Sequence, residues 1–260
     1  MIICLYAGLG VSFAMICAWW IQRAVHNAGW VDVIWVSSSS LALASVALAA
    51  SGITWRQIML AIILLLWGAR LGGYVAWRVA THPEDTRYAL MRRTAGPRFQ
   101  RQMAWLVAGQ GPVTGLLSLG VYLASAQPDA ALRVSDALGV AIVILALAGE
   151  TLADMQLKSW RAQQKTAGGI CRVGLWSLCR HPNYFCEALF WLAFPVIALT
   201  PQPLTLLAFI APVLMFLVLR YLTGVPPLEA AMRIRRGDMY RAYQAQTNAM
   251  WPRFRKQGRY

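Results

Sequence analysis

The apolar residues of this chain come in long blocks without charge. Ile2–Gln22, Val33–Trp55, Gln102–Gln127 and Ala188–Leu219 contain no Asp, Glu, Lys or Arg. A bilayer core needs about 20 apolar residues per helix, so each block is long enough to span. The pattern predicts helices near 2–21, 31–51, 56–77, 103–125, 136–159, 183–200 and 203–221. Thr200-Pro201-Gln202-Pro203 divides the last block, because proline ends a helix and biases the preceding residue away from one. The expected fold is all-α, a polytopic membrane bundle of about seven transmembrane helices. No internal repeat or linker interrupts it, so residues 1–260 read as a single domain.

Composition agrees with that class. Hydrophobic residues make up 58% and charged residues 13%, where a soluble domain carries about 25% charged. Lys and Arg outnumber Asp and Glu by 24 to 10, and only Lys158, Lys165 and Lys256 are not Arg. No nucleic-acid motif accompanies this excess. The basic residues lie between spans instead: Arg23 after the first, Arg78, Arg87, Arg92, Arg93, Arg98 and Arg101 after the third, Arg161, Lys165, Arg172 and Arg180 after the fifth. The tail adds Arg233, Arg235, Arg236, Arg241, Arg253, Arg255, Lys256 and Arg259. The alternate loops hold only Arg56 and Arg133. By the positive-inside rule the N-terminus is outside and the C-terminus cytoplasmic. The first span lacks a basic n-region and a convincing cleavage site, so it reads as a retained helix. Cys4, Cys17, Cys171, Cys179 and Cys186 form no CxxC pair, and His26, His82 and His181 have no metal-ligand spacing. No metal is expected. Walker A, GxGxxG, HExxH and nucleophile-elbow motifs are absent.

Three groups of residues carry the candidate chemistry. The densest is Gly174–Glu187, GLWSLCRHPNYFCE. Pro182 stands where a helix begins, and a helix start with Arg180 beside it attracts phosphate. Asn183, Glu187 and Trp191 then repeat at four-residue steps, a polar and aromatic stripe entering the bilayer. The second group is Glu150, Asp154, Lys158 and Arg161; Asp154 and Lys158 also suit a plain i, i+4 ion pair. A loop with Gly168-Gly169 joins it to the first. The third is Asp32 with Arg70 and Tyr74, which suits either mutual neutralisation or a substrate site. Gly72-Gly73 permits close approach of a helix or ligand. In the tail, Pro226-Pro227 starts a helix over Leu228–Ala245 with Glu229, Arg233, Arg236, Tyr240 and Tyr243 on one face. That face suits anionic lipid or a ligand equally.

GLWSLCRHPNYFCEALFW, with ETLADMQLKSWR upstream and PPLEAAMRIRRGDMYRAYQAQTNAMWP downstream, closely resembles the steroid 5-alpha-reductase family, and within it the bacterial DUF1295 branch. The likeness covers the C-terminal half well and the first half more loosely. It implies a seven-helix enzyme of the bacterial inner membrane that takes NADPH from the cytoplasm, with most of the cofactor site in residues 136–260. The expected reaction is hydride transfer to the beta carbon of a 3-oxo-4-ene steroid. By motif, Asp154 and Arg161 would hold the cofactor's sugar and phosphate portion. Arg172, Arg180, His181, Asn183 and Tyr184 would line the pocket, with His181 equally readable as a helix-start residue. Glu187 and Trp191 would lie near the nicotinamide, and Glu229, Tyr240 and Tyr243 would close over the adenine or phosphate end.

The substrate side departs from the family pattern. Its animal members hold the ketone with a Glu and a Tyr on the second and third spans, whereas this chain has no Glu before Glu84. Asp32 falls near the acid position and Trp67 near the Tyr, with Tyr74 two turns on; Arg70 matches a basic residue of that span. Asp32, Tyr74 and Glu187 are the expected catalytic residues, and Arg70 joins the cofactor set. Three other readings stand beside this one. RHP-x-Y is shared with isoprenylcysteine carboxyl methyltransferases, which use S-adenosylmethionine. A different lipid enone would suit the same chemistry. A transporter or lipid-binding protein is the third; broken helices near the midplane would support it, while the basic, motif-rich cytoplasmic surface favours a nucleotide. Expected partners are a hydrophobic substrate and membrane lipids, with no nucleic acid.

Overall fold

The computed structural model describes residues 1–163 and 169–253, and all regular structure among them is helical. Lys165, Gly168, Arg255, Lys256 and Arg259 lie outside the described residues. The helices are α1 Ile2–Ala24, α2 Gly29–Leu48, α3 Thr54–Thr81, α4 Thr86–Ala95, α5 Phe99–Ser125, α6 Val134–Gln163, α7 Leu175–Leu178, α8 Pro182–Ala198, α9 Ile210–Leu217 and α10 Val225–Gln246. A 3-10 segment, Pro203–Phe209, leads into α9, and a π turn, Val218–Leu222, follows it. Among the described residues, six helices are long and apolar enough to cross a membrane. The chain is therefore an integral membrane protein of the expected all-α class. The expected span at 183–200 is α8, whose 17 residues are at the lower limit for crossing.

The chain packs as two compact units, Met1–Gly139 with Leu192–Leu214, and Val140–Trp191 with Met215 onward. In the first unit small residues bring helices together, as expected where lipid removes any hydrophobic drive between them. A Cβ on Gly111 would lie 2.7 Å from the Gly8 carbonyl, so α1 and α5 touch at their backbones. Further along the pair, the Trp19 indole donates to the Gln100 carbonyl and the Gln22 amide to Gln100 Oε1. α2 meets α3 where Cβ atoms on Gly68 and Gly72 would touch Ser40 and Val36. The close approach expected at Gly72 is thus to α2, while a Cβ on Gly73 would meet nothing. Trp35 and Ser39 both hydrogen-bond Thr114, a polar layer inside otherwise apolar helices.

One end of this unit is closed by a buried ion pair. Arg56 and Asp136 are both fully buried. Arg56 Nε and Nη2 donate to the two Asp136 oxygens at 3.0 and 2.8 Å, and Nη1 donates to the Gln127 and Asp129 carbonyls. Arg133 adds a second cation to Asp136 and pairs with Asp129. The two arginines of the sparse loops are therefore balanced by two aspartates. Breaking a buried pair by removing one partner costs about 3–5 kcal/mol, because the other charge stays buried. Arg56→Ala is expected to destabilise the protein on that scale, read as a lowered unfolding temperature in detergent.

Candidate functional site

The second unit holds nearly all of the sequence-predicted cofactor residues. Its scaffold is set by α6 and α8. A Cβ on Gly149 would lie 2.8 Å from Cys186 Sγ, so the two helices meet there. Glu150 and Glu187 each follow that contact by one residue. Glu150, Asp154 and Glu187 are all buried. Glu187 Oε1 accepts the Trp191 indole N–H at 2.8 Å, one turn along α8, so the predicted stripe forms a real hydrogen bond. Trp191 is completely buried.

The segment between α6 and α8 is tied back to α6. The Trp176 indole donates to the Ala153 carbonyl, and the Leu175 N–H donates to Gln156 Oε1. Gly174 has φ +56, a left-handed conformation that glycine alone enters at no cost, and a Cβ there would strike the Gln156 side chain. Arg161 and Arg172 are exposed. The Arg172 guanidinium lies 5.0 Å over the Tyr243 ring.

At the start of α8 the RHPNY string is knit to the tail. Arg180 Nε donates to Glu229 Oε1 at 2.6 Å, and Nη1 donates to the Gln244 and Thr247 carbonyls. His181 Nε2 lies 3.0 Å from the same Glu229 oxygen, and Gln244 bonds the other. Backbone bonds continue the seam, from Arg180 and His181 to the Asn248 and Ala249 carbonyls and from Arg253 to the Leu178 carbonyl. The Tyr243 hydroxyl donates to the Trp176 carbonyl at 2.7 Å, and Tyr240 packs edge-on against Tyr243. Tyr184 stacks on His181, and its N–H bonds Asn183 Oδ1. Below it, Val225, Ala249 and Met250 form a small apolar core with Tyr184, Ala188, Phe216 and Leu219.

The tail helix α10 is broken at Gly237, which has φ +54, so Glu229 and Tyr240 lie on two helical pieces instead of the single stripe expected. Both side chains are nonetheless buried in the seam. Burial pushes the His181 imidazole below its ordinary value of 6.5, opposed by the Glu229 carboxylate. His181 Nδ1 is buried and has no hydrogen-bond partner. Arg180 has committed Nε and Nη1, which leaves its Nη2 donors. Burial pushes the neighbouring Cys179 thiol up to about 11.

In the first unit Asp32 is held from a direction the sequence did not suggest. Its two oxygens accept from the Tyr88 hydroxyl at 2.6 Å and Arg87 Nη2 at 2.9 Å. Arg87 also bonds Asp85, which caps α4 and pairs with Arg78. Burial alone would raise the Asp85 carboxyl, but Arg87 and Arg78 hold it down at about 2. Arg70 and Tyr74 are half-buried, one turn apart on α3. Tyr88, Arg87, Gln156 and Gln244 were missed by the sequence reading. Arg87 stood there only as a count of loop charge, and the two glutamines lie within the quoted strings but were given no role. The one available signal was Asp85 before Thr86, an N-cap that starts a helix and places Tyr88 on its first turn.

Removing Glu229 takes a shared acceptor from Arg180, His181 and Gln244. Glu229→Ala is expected to loosen the tail, so that trypsin cuts after Arg233, Arg235 or Arg241 markedly faster than in wild type, while helix content by circular dichroism is nearly unchanged.

Comparison with known proteins gives one family. The family described as "Protein of unknown function (DUF1295)" matches residues 18–247. Neither the curated proteins nor the solved structures provide a match. The matched region covers most of each unit and every residue named above from Asp32 to Tyr243, and the chain belongs to the DUF1295 family.

Proposed function

We propose that this chain is an NADPH-dependent membrane reductase that saturates the 4,5 double bond of a 3-oxo-4-ene steroid. The observation that supports it most is the chemistry gathered in the second unit. Buried carboxylates at Glu150, Asp154 and Glu187 share that unit with the arginines Arg161, Arg172 and Arg180. A carboxylate offers about four acceptor sites, so it can take ribose hydroxyls or a carboxamide N–H beside its protein donors. Guanidinium groups suit the phosphates. The buried, unpartnered His181 Nδ1 and the Arg180 Nη2 donors fit a polar ligand at the α8 start. These residues therefore fit a phosphorylated dinucleotide, with Asp154 and Arg161 at its sugar–phosphate portion and Glu187 and Trp191 toward the nicotinamide.

The bound cofactor would supply the hydride. The protein's part is to align the rings, exclude water and stabilise the charge that builds on the 3-oxo oxygen. That oxygen needs a hydrogen-bond donor. Asp32 already accepts at both oxygens, so Tyr74 carries the donor role, and Asp32 with Tyr88 serves to relay from solvent the proton that the alpha carbon takes up. Arg70 lies one turn before Tyr74 on the same helix. The arginine-rich ends, set against the balanced Arg56–Asp136 end, support an N-terminus outside, a cytoplasmic cofactor side and a bacterial inner-membrane location. A reductase of another lipid enone would use the same residues.

A binding titration of the detergent-purified protein separates this reading from the methyltransferase. NADPH is expected to bind and S-adenosylmethionine not to. Glu187→Gln and Asn183→Ala are expected to abolish cofactor-dependent turnover while keeping wild-type helix content. Saturable S-adenosylmethionine binding without NADPH binding, or wild-type turnover in both variants, would overturn the assignment.

A further inference from the structure

A groove on the first unit has no part in the proposed chemistry. It lies between α1 and α5, lined by Ser12, Ile16, Trp19, Ala104, Val107 and Ala108, and encloses about 320 Å³. Its walls are almost wholly apolar. Ser12, the only hydroxyl there, donates back to the Gly8 carbonyl of its own helix. Ile16 and Ala108 are exposed, so the groove opens on the outer face of the pair.

Two cations continue its walls. On α1 the residues Ser12, Ile16, Trp19 and Arg23 follow at steps of four, three and four, which is one helical stripe. On α5 the residues Arg101, Ala104 and Ala108 do the same. The helices run antiparallel with Trp19 and Gln22 bonded to Gln100, so Arg23 and Arg101 come at the same end of the pair. Arg23 lies over the rings of Trp19 and Trp20 at 4.6 and 5.1 Å. Among the described residues neither Arg23 nor Arg101 has an acidic partner. Both are exposed.

The dimensions match one leaflet. α1 has 23 residues, so Ser12 stands near its middle. From Ser12 to Arg23 the helix rises about 16 Å, and half of a bilayer's hydrocarbon core is about 15 Å. Tryptophans sit at the level where headgroups begin, and Trp19 and Trp20 stand there beside Arg23. The groove therefore starts near the middle of α1, and its two stripes lead on to Arg23 and Arg101 at one end of the helix pair.

We propose that this groove is a binding site for an anionic glycerophospholipid, with one acyl chain lying along α1 and α5 and the phosphate between Arg23 and Arg101. The apolar length selects a chain, and the two guanidiniums select a negative headgroup. Native mass spectrometry of the protein, delipidated and then exposed to equal amounts of phosphatidylglycerol and phosphatidylcholine, tests it. Wild type is expected to retain phosphatidylglycerol at least several-fold over phosphatidylcholine. The double variant Arg23→Gln/Arg101→Gln is expected to lose that preference. Ala108→Phe, which fills the groove without changing charge, is expected to lose the bound lipid as well. Arg93→Gln, an exposed arginine on α4 away from both stripes, is expected to behave as wild type. Equal retention of the two lipids overturns the site. So does an unchanged preference in Ala108→Phe, because attraction by net charge alone would survive it. Equally tight capture of glycerol phosphate would show that the groove contributes nothing, and would also overturn it.

Discussion

A charge inside a lipid-solvated helix bundle has to be paired, and this requirement organises the protein. Burial of a lone carboxylate is costly enough that the group would neutralise instead. The chain has only ten acidic residues against 24 basic ones, so each acid has cations to choose among. Asp136 takes Arg56 and Arg133, Asp32 takes Arg87, Glu84 takes Arg92, and Glu229 takes Arg180. Each pair fastens a loop or tail to a helix end. The apolar helices supply the bulk of the fold, but these pairs fix where its connections lie.

In the second unit the same rule joins the motif-bearing loop to the tail. Glu229 is the point at which Arg180, His181 and Gln244 converge. Residues far apart in sequence thereby become one polar wall around the start of α8. That wall keeps unused Arg180 donors and the buried Nδ1 acceptor of His181, and the same unit buries the carboxylates Asp154 and Glu187. The tail is thus fastened to the start of α8 through Glu229.

The helices were legible because uncharged blocks have little choice of structure in a bilayer. The Asn183–Glu187–Trp191 stripe was legible too, since helical periodicity alone puts those residues on one face, and Glu187 does bond Trp191. Partners across loops were not. Asp32 was set beside Arg70 by proximity of spans, yet its carboxylate accepts from Arg87 and Tyr88 on α4, a helix whose polar composition carried no span signal. Likewise the sequence could not show that Gly237 breaks α10, because glycine within a helical pattern is ordinarily tolerated. Nor could it show that Arg180 would hold the tail through Glu229, Gln244 and Thr247.

The proposed reduction rests on the polar residues that the second unit gathers around the start of α8. Its most direct test is oxidation of NADPH by the detergent-purified protein with and without progesterone, with products weighed by mass spectrometry. The account predicts steroid-dependent oxidation and a product heavier by two hydrogens. NADPH that stays reduced whether or not the steroid is present, with progesterone recovered at its original mass, would contradict it.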